Sequence, residues 1–289
     1  MIKLSNDLIE VHIKKKGAEL SSIYNQHIAH EYIWQGDPSI WPWHAPNLFP
    51  IVGGLKHNRL FINGAQYELA RHGFARHSNF QVIESSTTHA IFSLRYNNET
   101  LRAYPYRFEF QVIYHLENES LNCTYKTLNL DEQQIYFSVG GHPAFNVPFF
   151  PDERYDDYYL EFEKDEPLQR HHLSSEGYFN KKQSTMLLEG RKLRLNETLF
   201  NEDALVFKSL ASRRVSIRSN NHPHALIISY PDFKSLGIWA KPGAPFVCVE
   251  PWLGYADDET GSSSIETKEG IVPLAPGHVF EASYSISIQ

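Results

Sequence analysis

The chain has 289 residues, of which 42% are hydrophobic and 21% charged, so it can build a packed core and lacks the composition of a disordered protein. Its 27 Lys and Arg residues are outnumbered by 34 Asp and Glu residues, which gives a net charge of −7. Because the cationic residues are scattered, we expect neither nucleic acid nor an anionic membrane as a main partner. The first residues contain no long apolar segment, so we expect no signal peptide or membrane span and a cytoplasmic location.

Alternating apolar and polar residues predict antiparallel β-strands along most of the chain. Helical signals are weaker: segments 98–105 and 196–207 each begin with a candidate Asn cap and have room for one or two turns only. Two hairpins are expected, at residues 117–120 (ENES) and at residues 241–245 (KPGAP), where Pro and Gly supply the turn dihedrals. In chain order, the predicted strands include residues 9–13, 89–96, 108–116, 121–125, 135–139, 213–219, 224–230, 236–240 and 246–250.

These features predict an all-β protein, a large antiparallel sandwich or barrel in which residues 1–289 form one domain. No repeat, low-complexity linker or sharp change in composition divides the chain. Cys123 and Cys248 both lie in strand-like segments, so we expect two buried, reduced thiols rather than a disulfide.

A glutamate at the inner end of an apolar strand is the most unusual feature of the sequence. Alternation places Phe246, Cys248 and Glu250 of the segment FVCVEPW on one face of the strand. We expect Pro251 to end the strand, so that Glu250 lies at the rim of a sheet. Glu250 is then either an ordinary solvated residue at a strand end or a carboxylate held in a pocket, where burial requires a partner or a chemical role.

Three further stretches carry candidate functional residues, each with a plain structural alternative. Gly140 and Gly141 allow the backbone to approach a neighbour closely, for example a ligand, and His142 after them could equally be a hydrogen-bonded core histidine. Segment 69–80 (LARHGFARHSNF) offers donors for hydroxyl or phosphate oxygens, or is a solvated basic loop. Segment 40–54 contains two tryptophans, whose faces could stack on a sugar ring or plug one end of the sandwich.

No metal or cofactor site is predicted from the sequence. The pairs His171–His172 and His222–His224 resemble metal-ligand spacing, but no further His, Cys or carboxylate set completes either site. The sequence also lacks a nucleophile-elbow Ser, a P-loop, a dinucleotide fingerprint and a calcium loop.

Five motifs follow one another in chain order: APNLFPIVGGL (45–55), RHGFARHSNF (71–80), GGHPAFNVPF (140–149), LFNEDALVF (199–207) and VCVEPWLGYAD (247–257). Together they resemble the aldose 1-epimerase (galactose mutarotase) superfamily and look most similar to its LacX-type branch. The resemblance implies a large antiparallel β-sandwich, the galactose mutarotase-like supersandwich, with sugar bound in a cleft on its concave face. It also implies an isomerase that interconverts the α and β anomers of a free aldose by acid/base ring opening, without a cofactor.

Motif matching implies a role for each candidate residue. Glu250 matches the general base, which takes the proton from the C1 hydroxyl, and His142 matches the general acid, which protonates the ring oxygen. His72 matches a second histidine that donates to the sugar, and Arg76 matches a substrate contact. Asp203 matches a sugar-binding acid.

The motifs leave the substrate and one of its contacts open. Glu202 could replace Asp203 as the sugar-binding acid, because the register of that motif is loose. The motif HGF stands where galactose mutarotases carry a longer HGG-type motif, so a preference for galactose is not implied. Hexose-6-phosphate epimerases use an HGFAR-like motif, and Arg71, Arg76 and Lys56 could hold a phosphate.

Two other functions fit the same fold. One is a non-catalytic carbohydrate-binding or sensing protein, because a fold does not determine a function. The other is a glycoside hydrolase, with Glu250 and either Asp203 or Asp257 as the two carboxylates. In each case we expect a small sugar or sugar phosphate as the partner, and a monomer or homodimer.

Overall fold

In the computed structural model, which describes residues 1–261 and 264–289, two large antiparallel β-sheets form a sandwich. We number the strands in chain order. The larger sheet has nine strands, in the spatial order β18 (Lys192–Arg194), β15 (Tyr158–Phe162), β20 (Arg214–Ser219), β21 (Ala225–Ser229), β25 (Val279–Ile288), β11 (Ser120–Asn129), β10 (Phe108–Glu117), β9 (His89–Arg95) and β8 (Gln81–Ser85).

The second sheet has eight strands and carries the candidate site. One of its strands, β14 (Ala144–Asn146), lies off the main order and pairs with β23. The other seven, in spatial order, are β17 (Phe179–Met186), β16 (Leu168–Leu173), β19 (Leu205–Phe207), β22 (Ser235–Trp239), β23 (Phe246–Leu253), β13 (Val139–Gly141) and β5 (Asn47–Leu48).

Smaller elements surround the sandwich. No helix in residues 1–261 or 264–289 is long and apolar enough to cross a membrane. The α-helix is α1 (Asn98–Ala103), and short 3-10 turns occur at Lys56–Asn58, Ala75–His77, Tyr155–Asp157 and Ile265–Thr267. A four-stranded sheet contains β1 (Ile2–Ser5), β2 (Ile9–Ile13), β3 (Leu20–Asn25) and β4 (His30–Glu31). Two further sheets have two strands each: one pairs β6 (Arg59–Ile62) with β7 (Ala65–Glu68), and the other pairs β12 (Ile135–Phe137) with β24 (Val272–Leu274).

Both hairpins expected from the sequence are confirmed. Strands β10 and β11 pair from Glu117 and Ser120 at the ENES turn, and β22 and β23 pair on either side of the KPGAP turn. In the second turn the Ala244 N–H donates to the Lys241 carbonyl at 2.9 Å, and Gly243 has φ +77°. A type II turn requires a positive φ at its third residue, and Gly adopts it without strain. Both cysteines are buried and free, as expected.

The helix predictions were only partly right. Helix α1 forms, but its cap is Asn97 rather than Asn98, because the Asn97 side chain accepts from the N–H groups of Glu99 and Thr100. Segment 196–207 contains no helix: it consists of turns followed by strand β19. All residues of β19 are buried between β16 and β22, so sheet pairing overrides the weak local helix signal.

The two sheets meet through aromatic rings and one buried polar residue. Phe49, next to β5, stacks on Phe110 of β10 with ring centroids 4.3 Å apart. Asn47 is 1% exposed, and its amide donates to the carbonyls of Gly17 and Ala18 at 2.9 Å. Its side-chain oxygen accepts from the Tyr125 hydroxyl of β11 at 2.8 Å. Asn47 therefore ties the edge of the eight-stranded sheet to the other sheet and to the β2–β3 connection.

We predict that Asn47→Ala lowers the free energy of unfolding by about 2–4 kcal/mol. The substitution leaves the Gly17 carbonyl and the Tyr125 hydroxyl without their Asn47 partner, and it removes one of the two hydrogen bonds to the Ala18 carbonyl, which keeps the Tyr114 hydroxyl as a donor. Tyr125→Phe, which removes only one of these hydrogen bonds, serves as the matched comparison and should cost about 1 kcal/mol. Urea denaturation of both variants measures the difference. Equal losses in the two variants would contradict this role of the Asn47 amide.

Candidate active site

The five residues expected from the sequence to contact a sugar line one cavity of about 270 Å³. A volume near the lower end of the range for small-molecule sites suits a compact ligand. The cavity lies on the face of the eight-stranded sheet that points away from the nine-stranded sheet. The five expected residues that line this cavity come from three separate loops and strand β23: they are His72, Arg76, His142, Asp203 and Glu250.

Glu250 is buried, which excludes the alternative of a solvated residue at a strand end. Its exposed fraction is 1%, and it shares a strand face with Cys248 and Trp252. The expected end of the strand at Pro251 is also wrong, because β23 continues to Leu253. Pro251 fits inside the strand because it falls where the partner changes from β14, opposite Cys248, to β13, opposite Trp252.

His142 contacts Glu250 directly. Its Nε2 atom lies 3.2 Å from Oε2 of the glutamate, and its exposed fraction is 9%. His142 follows β13, and the Trp41 ring stacks on the imidazole with centroids 5.1 Å apart and an interplanar angle of 27°. His142 is thus a histidine that faces a cavity and a carboxyl group, and not one enclosed among core side chains.

Burial favours the uncharged form of both partners. It raises the pKa of Glu250 well above its usual range, and the nearby Asp203 carboxylate raises it further. Burial also lowers the pKa of His142 to about 3. The 3.2 Å contact therefore joins two groups whose charged forms are both disfavoured, and moving one proton from the carboxyl group to the imidazole would give the carboxylate and imidazolium forms.

The tautomer of His72 is determined by a backbone hydrogen bond. The Gly53 N–H donates to His72 Nδ1 at 3.1 Å, so the neutral ring carries its proton on Nε2. Burial lowers the pKa of His72 well below its usual value, and the cationic Arg76 and Arg71 lower it further. His72 therefore presents a neutral ring with an N–H donor to the cavity. Its φ of +67° reflects the sharp turn that brings the ring there.

Of the two neighbouring carboxylates Asp203 and Glu202, only Asp203 lines the cavity. Asp203 has φ +66° and lines the cavity. The side chain of Glu202 is 66% exposed and contacts Arg170 at 3.6 Å and His172 at 3.5 Å instead. A left-handed backbone at one residue turns the two neighbouring carboxylates in different directions.

Asp257, the other carboxylate considered for a hydrolase, does not line the cavity. It is 4% exposed and forms an ion pair with Lys268, and its second oxygen accepts from the Lys56 N–H at 3.0 Å. A hydrolase with Glu250 and Asp257 as its carboxylate pair is therefore inconsistent with the structure.

Two arginines lie at the wall of the cavity. Arg71 and Arg76 both line it, and Arg76 Nη2 donates to the Arg71 carbonyl at 3.0 Å. The Arg71 guanidinium is positioned by a hydrogen bond that it donates to the Glu176 carbonyl at 2.6 Å. Lys56, named with them as a phosphate ligand, does not line the cavity, and its ammonium group donates to the Glu259 carbonyl.

Tryptophans form the apolar wall, and two of them were missed in the sequence. Of the expected pair in segment 40–54, Trp41 lines the cavity, whereas Trp43 packs against the Arg76 guanidinium, 5.2 Å from its ring centroid. Trp239 and Trp252 also line the cavity. Extending the alternation of β23 past Pro251 would have identified Trp252, and the pairing of the KPGAP hairpin would have identified Trp239 opposite Cys248.

Gly140 and Gly141, which precede His142, lie against other protein atoms and do not line the cavity. A Cβ at Gly140 would lie 2.6 Å from the Trp252 ring, and one at Gly141 would lie 2.9 Å from the Tyr125 hydroxyl. Both glycines belong to β13, on opposite faces of the strand. The missing side chains let β13 pack against the cavity tryptophan on one face and the nine-stranded sheet on the other.

One set of side chains in the site has the composition of a metal-ligand cluster. The ligand atoms of His142, Cys248 and Glu250 all lie within 4.8 Å of one another, and all three residues are buried. This set was not identified from the sequence, because the histidine is far from the other two residues in the chain.

Comparisons with known proteins identify the family of the chain. The sequence model of the aldose 1-epimerase family matches residues 1–270. Protein LacX of Lactococcus lactis subsp. lactis is 34% identical over 299 aligned positions, covering 99% of each chain.

Two solved structures share the fold and at least 31% sequence identity. A galactose mutarotase related enzyme from Lactobacillus acidophilus is 34% identical, with a TM-score of 0.95 over 100% of this chain and 97% of that one. A galactose mutarotase-like protein from Lactobacillus casei ATCC 334 is 31% identical, with a TM-score of 0.92 over 100% of both chains. With a family match that spans most of its length, this chain belongs to the aldose 1-epimerase family.

Proposed function

We propose that the protein is an aldose 1-epimerase that interconverts the α and β anomers of a hexose by acid/base ring opening, without a cofactor. The observation that carries the proposal is the 3.2 Å contact between the buried His142 and Glu250 in a cavity lined by tryptophans. The two oxygens of a cyclic hemiacetal are bonded to the same carbon. The acid and the base must therefore lie close together, each within hydrogen-bond reach of one oxygen.

Ring opening uses the ion-pair form of the two residues. The Glu250 carboxylate removes the proton from the C1 hydroxyl while the His142 imidazolium gives its proton to the ring oxygen. The bond between C1 and the ring oxygen breaks as the C1 carbonyl forms. The products are the open-chain aldehyde, a protonated Glu250 and a neutral His142, so the charges and protons balance.

Ring closure reverses these transfers after rotation about the C1–C2 bond. The hydroxyl that was the ring oxygen attacks the other face of the carbonyl and returns its proton to His142. Glu250 then gives its proton to the new C1 oxygen. The pair ends in its starting form, so no other reactant is needed.

Other cavity residues are proposed to position the sugar. His72 would donate through Nε2–H, because Nδ1 accepts from Gly53. The Asp203 carboxylate would accept from sugar hydroxyls, and Arg76 would donate to them. The indole faces supply the apolar surface on which the C–H face of a pyranose packs. We assign these roles because all of these residues line the cavity.

A hexose 6-phosphate is a second candidate substrate. The observation that favours it is the presence of two guanidinium groups, Arg71 and Arg76, on the wall of the same cavity. Planar guanidinium groups bind phosphate oxygens in bidentate geometry, and two of them would offset its charge.

The cellular setting is also part of the proposal. We propose that residues 1–289 act as one mutarotase-like domain, as a monomer or homodimer, in the cytoplasm. The ligand is a small sugar or sugar phosphate and not a nucleic acid or a membrane, in line with the net charge of −7.

We predict that Glu250→Gln and His142→Ala each lower the rate of anomer exchange by about 10²- to 10⁴-fold, the usual contribution of a general acid or base. NMR exchange measurements on galactose, glucose and glucose 6-phosphate, corrected for the spontaneous reaction in buffer, provide the rate. Thermal unfolding shows whether each variant remains folded. A wild-type rate in either folded variant would overturn the mechanism, and sugar binding by the wild type without faster exchange would favour a binding protein.

We predict that Asp203→Asn raises KM more than it lowers kcat, whereas Glu202→Gln leaves both close to wild type. The reason is that Asp203 lines the cavity, while its neighbour contacts Arg170 and His172 outside it. Asn is chosen because it tolerates the left-handed backbone of Asp203. Equal kinetic effects of the two substitutions would contradict the assignment.

If the substrate is phosphorylated, we predict that the double variant Arg71→Met, Arg76→Met loses more activity on glucose 6-phosphate than on glucose. The fall in kcat/KM should be at least about tenfold larger for the phosphorylated sugar, because the variant removes charge-assisted hydrogen bonds to the phosphate. Lys56→Met is the matched control, because Lys56 does not line the cavity. The same loss on both sugars would reject the phosphate role. It would leave the arginines as ligands of sugar hydroxyls.

A further inference from the structure

We propose that Cys248, His142 and Glu250 form a binding site for a thiophilic divalent cation such as Zn²⁺, and that the cation, when bound, occupies the acid/base pair and prevents its use. The metal site is inferred from the positions of the three side chains and does not depend on the proposed function. Only the inhibitory consequence rests on the proposed function.

The distances suit a zinc ion with little movement of the site. Zinc is held at about 2.0–2.3 Å from nitrogen, oxygen and sulfur ligands in a tetrahedral arrangement, so its ligand atoms lie roughly 3.2–3.8 Å apart. His142 Nε2 and Glu250 Oε2 are 3.2 Å apart, and one ligand atom of each of the three residues, the sulfur in the case of Cys248, lies within 4.8 Å of the other two. A shift of about 1 Å in the cysteine side chain completes a three-ligand set of this size.

The chemistry of the three donors is selective. A thiolate, an imidazole and a carboxylate are all common zinc ligands, and the thiolate disfavours Mg²⁺ and Ca²⁺. The two anionic ligands offset the charge of the ion, which reduces the cost of placing it in a buried site. His142 and Glu250 also line the cavity, from which a water molecule could supply the fourth ligand.

The glutamate oxygen nearest the histidine is available to a cation. Within the described part of the chain, buried Glu250 Oε2 has no hydrogen-bond partner of good geometry. The His142–Glu250 contact supplies proximity but leaves this oxygen unsatisfied, and a cation would satisfy it.

Cys248 has no part in the proposed sugar chemistry. It is 0% exposed and lies on the same strand face as Glu250, one pleat away. Binding of Zn²⁺ would displace the thiol proton and the proton held by the His142–Glu250 pair, leaving three metal–ligand bonds and two released protons. With its acid and base both coordinated, the pair could no longer exchange protons with a sugar.

Zinc binding to the purified protein tests the proposal directly, by equilibrium dialysis and calorimetry without sugar. We expect one tight site per chain in the wild type, weakened at least about tenfold by Cys248→Ser and unchanged by Cys123→Ser. Cys123 is the matched control, because it is the other buried free thiol and lies in the nine-stranded sheet. Unchanged affinity in Cys248→Ser would place the ion elsewhere, for example on surface histidines, and overturn the proposal.

Cobalt provides a readout that does not depend on whether a variant folds. Co²⁺ bound to the wild type should show near-ultraviolet charge-transfer absorption from a coordinated thiolate, and the absence of this absorption would overturn the site. Anomer exchange measured with increasing Zn²⁺ then tests inhibition, which should weaken in Cys248→Ser relative to that variant's own uninhibited rate. If the protein shows no exchange activity at all, the proposed function fails while the binding and cobalt measurements still decide the metal site.

Discussion

The candidate site depends on the free-energy cost of burying a carboxylate. Glu250 lies within a strand of apolar residues, 1% exposed, where an ionised carboxyl group without a partner would be strongly destabilising. The same surroundings disfavour a charged His142. Because burial raises one pKa and lowers the other, both groups rest in neutral forms that a single proton transfer converts into an ion pair. An arrangement that is costly for stability is thus well suited to proton transfer.

The rest of the eight-stranded sheet keeps this pair in position. Gly140 has no side chain, so the Trp252 ring can pack against β13 beside the catalytic candidates. Trp41 covers the face of the His142 imidazole, and the Gly53 N–H determines the tautomer of His72. Asn47 anchors the edge of the sheet to the other half of the sandwich. The first three of these contacts limit the freedom of side chains that line the cavity, and the Asn47 contact holds the sheet that carries them.

Sequence reasoning was reliable where local sterics decide the structure and failed where neighbours decide it. The turns ENES and KPGAP carry their own dihedral preferences, and both hairpins form. Segment 196–207 also has a local helical pattern, but its last residues form a buried strand because β16 and β22 offer backbone partners. Pro251 was expected to end β23 by the same local logic. The strand continues because its partner changes at that point.

By itself, the sequence determined the all-β class, the principal hairpins and the face of β23 on which Glu250 lies, because strand alternation follows from backbone geometry over a few residues. Its motifs also indicated five residues of the site. Only the tertiary structure decided that Glu250 is buried and contacts His142, that Asp203 rather than Glu202 faces the cavity, and that Cys248 joins them. These features depend on strand pairing between distant segments and on which surfaces are removed from water, and neither is encoded within a short stretch of residues.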